Sequence, residues 1–171
     1  MKIKVNLANI NGAITTLENF RDNFDKRQRE FLTRLAEIGV AVAEARFKSA
    51  VYDGTNDVVV EKPVWVRDDC IAVRASGQSV TFIEFGAGVH YGEQHEKAAE
   101  LGFTRGGYGK GQGKHDFWFY KGEPGTNGKQ STTVPGLIYT HGNPPNRCLW
   151  EADKSIKAQL LEIAKEGFGN D

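Results

Sequence analysis

Residues 24–45 read FDKRQREFLTRLAEIGVAVAEA, and this stretch decides the architecture. Phe24, Phe31, Ile38 and Ala45 recur every seven residues, with Leu35, Val42 and Ser49 following four residues behind. That spacing is the apolar stripe of an amphipathic helix, and Arg21, Lys26, Arg29, Glu30, Arg34, Glu37 and Glu44 supply the opposite, solvated face. Working outward, the stripe runs from about Ile14 to Val51, between the turn signals Asn11-Gly12 and Asp53-Gly54. The sequence therefore predicts one long helix over 10–52, with either a kink at Gly39 or a separate turn near Asn19–Asp25. Gln28 and the missing further heptads argue against an extended coiled coil.

After the helix the pattern changes to short β-branched and aromatic runs. Val58-Val59-Val60, Val64-Trp65-Val66, Cys70–Ala75 and Val80-Thr81-Phe82-Ile83-Glu84-Phe85 are separated by brief turn segments, with Pro63 restricting one join to an edge or bend. This predicts an antiparallel meander over 57–85. Residues 86–145 carry no strong period and hold the chain's compositional anomaly. Of 20 Gly, six fall between Gly102 and Gly113. Sixty structureless residues are improbable in a compact domain, so a hairpin is expected there, pairing 117–121 with 136–140 or extending the meander. Pro144-Pro145-Asn146 then opens a closing helix over 146–168, with Asn146 as candidate N-cap and Leu149, Ala152, Ile156, Leu160 and Ile163 as its stripe. The expected fold is a single α+β domain over 1–171. Both helices lie on one face of an antiparallel sheet of three to five strands, with a long Gly-rich insertion.

Composition narrows the function classes. The chain has 171 residues, 22 basic and 22 acidic. A near-zero net charge disfavours a protein devoted to coating DNA or anionic lipid. The longest unbroken apolar run, Val40-Ala41-Val42-Ala43, is far below the ~20 residues of a membrane span, and no signal peptide is expected at Met1–Asn6. Cys70 and Cys148 are read as free thiols of a reducing compartment.

Catalytic motifs fail when tested. His90 and His95, among Glu93 and Glu96, invite a metal reading, yet the second His of a helical zinc motif is missing and no cysteine pair has ligand spacing. Gly111-Gln112-Gly113-Lys114-His115 lacks the Ser or Thr and the strand–loop–helix setting of a phosphate loop. Gly77–Thr81 lacks the closing Gly of a nucleophile elbow. No cofactor, metal ligand or catalytic residue is assigned. A metal-dependent hydrolase using His90, His95, His115 or His141, and a nucleic-acid-binding module, stand as alternatives.

Charge is distributed unevenly. Residues 53–85 hold six acids against three bases, whereas 101–130 hold five bases against two acids. Either the basic loop folds back on its own sheet, or the basic arm of one subunit lies on the acidic sheet of a neighbour and closes a ring; contact with passing DNA phosphates is a third reading. Four consecutive aromatics in a Gly-rich loop must bury somewhere, in a satellite core or across subunits. The candidate interface residues are Arg105, Tyr108, Lys110, Lys114, Phe117, Trp118, Phe119 and Tyr120, with Asp68 and Asp69 on the acidic side.

Several segments together resemble a family. They are Phe82-Ile83-Glu84-Phe85-Gly86-Ala87-Gly88, Glu100-Leu101-Gly102-Phe103, Gly107-Tyr108-Gly109-Lys110-Gly111, and Tyr139-Thr140-His141-Gly142-Asn143-Pro144-Pro145 leading into Leu149-Trp150-Glu151-Ala152. In order and spacing, over roughly residues 10–168, they are similar to siphophage and prophage head–tail joining proteins, the neck or tail-completion proteins also described as minor tail components. The chain departs from that pattern at Cys148, where the family more often carries Phe or Met. The resemblance implies a structural virion protein without enzyme activity, made in the host cytoplasm. It would form a ring at the portal–tail junction and contact the portal or connector on one side and the tail tube or terminator on the other. It implies no membrane association.

Overall fold

Two antiparallel helices of unequal length organise the chain. The computed structural model describes residues 7–104, 115–125, 129–130 and 134–169. Helix α1 (Leu7–Lys48) is 42 residues long and α4 (Cys148–Phe168) is 21. At 1.5 Å per residue these span about 63 Å and about 32 Å, so α4 can cover only half of α1. Paired positions run from Arg46 beside Glu151, 3.7 Å apart, through Gly39 beneath Ile156, to Phe24 and Phe31 around Phe168. A Cβ on Gly39 would lie 2.7 Å from Ile156 Cδ1. Gly39 thus marks close helix packing, and α1 continues through it and through Asn19–Asp25 as one helix.

The α+β class holds, with the strands distributed over three small antiparallel sheets among the described residues. β1 (Val59–Val60) pairs with β4 (Ala75–Ser76), and β2 (Val64–Arg67) with β3 (Cys70–Ala72). They form one long hairpin whose ladder is interrupted near Pro63, which has no N–H to donate; Glu61 N–H to Arg74 O, 2.9 Å, bridges part of the break. In the insertion, β5 (Trp118–Lys121) and β6 (Lys129–Gln130) flank β7 (Leu137–Thr140). Trp118 faces Thr140 and Lys121 faces Leu137. The hairpin expected between 117–121 and 136–140 is present.

One expected strand is a helix. Val80–Phe85 forms α2, not the last strand of the meander. Its alternation over six residues fits either period, so the pattern could not decide. What decides is a cap from a distant segment: the Asp57 carboxylate accepts the N–H groups of Gln78 (2.8 Å) and Ser79 (2.9 Å) and the Ser79 hydroxyl. The turn that this builds places Ile83, fully buried, against Ala43, Phe47, Cys148 and Ala152, which is the main core. A four-residue helix, α3 (Ala98–Leu101), follows.

The entry to α4 also differs from expectation. Asn146 is not its N-cap. Its amide is spent on Val51, accepting that N–H at 2.8 Å and donating to that carbonyl at 3.0 Å, and so ties the end of α1 to the α4 entry. The residue before the helix is Arg147, with φ 55°. The first turn of α4 is capped instead by Glu84 of α2, whose carboxylate accepts the N–H groups of Leu149 (2.8 Å) and Trp150 (3.0 Å).

Candidate functional site

Two surfaces stand out: the uncovered half of α1 and the outer edge of the insertion. Every residue from 10 to 26 is exposed. Among them Ile10, Ile14, Leu17, Phe20 and Phe24 are between 45% and 67% accessible. Ile10, Leu17 and Phe24 continue upstream the seven-residue repeat of the packed half, with Ile14 and Phe20 beside them. The stripe therefore runs the full helix, but α4 ends at Phe168 and covers only the lower part. The ion pairs Arg21–Asp22 (2.9 Å) and Lys26–Glu30 (3.9 Å) decorate the arm. Pairs so exposed contribute little. Burying the exposed parts of the five apolar side chains against another surface would contribute on the order of 5 kcal/mol.

The insertion docks on the body through residues 52–54. Asp53 is buried, its carboxylate accepts the Thr140 hydroxyl, and its carbonyl accepts the Tyr120 hydroxyl and Gly125 N–H (2.7 Å). Burial and the nearby Asp53 charge push the Tyr120 phenol up. β5 then sorts its aromatics by strand alternation. Tyr120 turns inward, and Trp118 lies over Gly88 and Gly142, where a Cβ would come within 2.7 Å and 2.9 Å of its ring. Both glycines have φ near +80° and touch the opposite chain, so the Ala87–Asn143 bridge can form only with no side chain there. Phe117 and Phe119 lie on the other face around Tyr139, with ring centroids 5.2 Å and 5.5 Å away.

That outer face joins two histidines of the metal-hydrolase alternative, His90 and His141, to an aspartate that no motif singled out. The Ala87–Asn143 bridge sets His90 beside His141, ring centroids 4.6 Å apart. Asp116, just before β5, points its Oδ2 at both, 3.5 Å from His90 Nδ1 and 3.7 Å from His141 Nδ1. The ligand atoms of all three lie within 4.8 Å of one another. The other histidines are elsewhere. His95 is buried between Phe85 and Trp150; Lys97 N–H donates to its Nδ1 (2.9 Å), so its Nε2 carries the proton and donates to Glu84 (3.0 Å). It is a core residue. His115 contacts Phe117 and stands outside the cluster.

Of the candidate interface residues, Arg105, Tyr108, Lys110 and Lys114 lie outside the described residues. Trp118 and Phe119 are exposed on the insertion, Phe117 is half-buried, and Tyr120 is held by the chain itself. Asp68 pairs with Arg29 of α1 (2.5 Å), whose guanidinium also lies over Trp65, and Asp69 pairs with Arg67 (3.3 Å). The stripe residues Ile10, Leu17 and Phe20 were missed as an interface. The signal was the length mismatch between a 42-residue and a 21-residue helix. Asp116 had no signal in spacing, because it meets His90 and His141 only through the fold.

Compared with protein-family models, curated proteins and solved structures, the chain matches none. Among the described residues no helix is long and apolar enough to cross a membrane.

Proposed function

We propose that this chain is a structural assembly protein, a neck or tail-completion subunit joining a phage head to its tail, and that it acts through protein–protein contacts without turnover. The observation that carries an assembly role is the projecting half of α1, 17 consecutive exposed residues bearing an apolar stripe. As the uncovered end of α1, that stretch has little tertiary packing to add to its own backbone hydrogen bonds. Packing its stripe against another polypeptide supplies what α4 does not. Trp118 and Phe119, exposed on opposite faces of β5, offer two further contact points of the aromatic kind that interfaces favour. The assignment to the head–tail junction in particular rests on the sequence resemblance to head–tail joining proteins. In this reading neighbouring subunits form a ring, with the basic insertion segment facing acidic partners.

Removing the gene from the phage that encodes it is the direct test. Filled heads and complete tails should accumulate separately, and the purified protein should restore joining in the lysate. Normal joined particles without it would end the neck assignment.

A further inference from the structure

The geometry points to a divalent transition-metal site of the zinc type formed by His90, Asp116 and His141; we infer that the ion clasps the two ends of the insertion, near His90 and His141, to the approach to β5. Around a tetrahedral ion with ligands at about 2.0–2.1 Å, neighbouring ligand atoms stand about 3.3 Å apart. The two carboxylate–imidazole separations, 3.5 Å and 3.7 Å, are within a few tenths of that spacing. The set as a whole lies within 4.8 Å, so binding draws the ligand atoms together by up to about 1.5 Å, a movement that three partly exposed side chains are free to make.

Without an ion, His141 Nδ1–H donates to the Asp116 carbonyl at 3.1 Å and Nε2 accepts from the Tyr139 hydroxyl at 3.0 Å. Binding an ion at Nδ1 moves that proton to Nε2, where Tyr139 Oη can accept it. Tyr91 stands edge-on to His90, and Phe117 edge-on to His141, walling the site on two sides. Two imidazoles with one carboxylate select zinc-like ions over magnesium or calcium, which prefer all-oxygen shells. The ligands come from three separate segments: the loop after α2, the approach to β5, and the exit of β7. An ion joining them would fix the insertion where Trp118 and Phe119 are presented.

Calorimetric titration of the untagged full chain with Zn(II) tests this. One equivalent should bind, Mg(II) should give no heat, and thermal melting should rise with Zn(II). His141→Ala should weaken binding by about 100-fold or more, and so should His90→Ala, which removes an exposed side chain and leaves the fold intact. His115→Ala should bind as the wild type does. Absence of Zn(II) uptake, unchanged affinity in both ligand variants, or an equal loss in His115→Ala would overturn the site.

Discussion

Glu84 shows how much one buried side chain can coordinate. The residue is 3% accessible, and its carboxylate accepts from Leu149 N–H, Trp150 N–H and His95 Nε2–H. It thereby joins α2, the start of α4 and the loop at residue 95. Glu84→Ala would leave three donors without a partner, so it should cost about 3 kcal/mol or more in urea unfolding. A loss below about 1 kcal/mol would contradict the capping role. Cys148, beside it, is fully buried, and burial together with the Glu84 charge pushes its thiol up to about 12. Cys70 in β3 is only half-buried. At pH 8 a thiol reagent should therefore label Cys70 alone in the native protein and reach Cys148 only on unfolding; equal labelling rates would refute the packing. The sequence reads Cys148 as a free thiol and offers Asn146 as the candidate cap. Asn146 has the right chemistry in the right place. Only the fold brings Glu84 to α4 from 64 residues upstream of that helix start.

The elements differ in how far local pattern could specify them. Both long helices were legible because many turns of stripe average out single exceptions. β5 and β7 were legible because aromatic and apolar runs are bounded by turn residues. Val80–Phe85 was not, since six residues fit two periods and a tertiary contact made the choice. The Asp57 carboxyl that makes it is held down from 3.8 to about 2, first by the Ser79 hydroxyl and then by the N–H groups of Gln78 and Ser79. A carboxyl depressed in the folded state stabilises above its unfolded value and loses that contribution as the pH falls. The stability gap between wild type and Asp57→Asn should accordingly shrink as pH drops from 3.8 towards 2. Asp57 is exposed, so the gap itself will be modest. A gap constant across that range would show that the carboxylate does not hold the start of α2.

At the scale of the molecule, a core built from α1, α2 and α4 supports two projections. One is the helical arm of α1; the other is the insertion, fastened at Asp53 and at the Gly88–Gly142 crossing. Both present apolar groups outward, which suits a protein clasped by neighbours. The residue classes on each were visible in the sequence, but which were covered depended on where α4 ends. Replacing Leu17 and Phe20 by Glu changes only side chains that are each 67% accessible, so melting of the isolated protein should stay within a degree or two of wild type. On the proposed neck role, electron microscopy of phage lysates carrying Leu17→Glu/Phe20→Glu should show separated heads and tails at normal levels of soluble protein. Joined virions in wild-type numbers would mean that the arm is not where this protein is held.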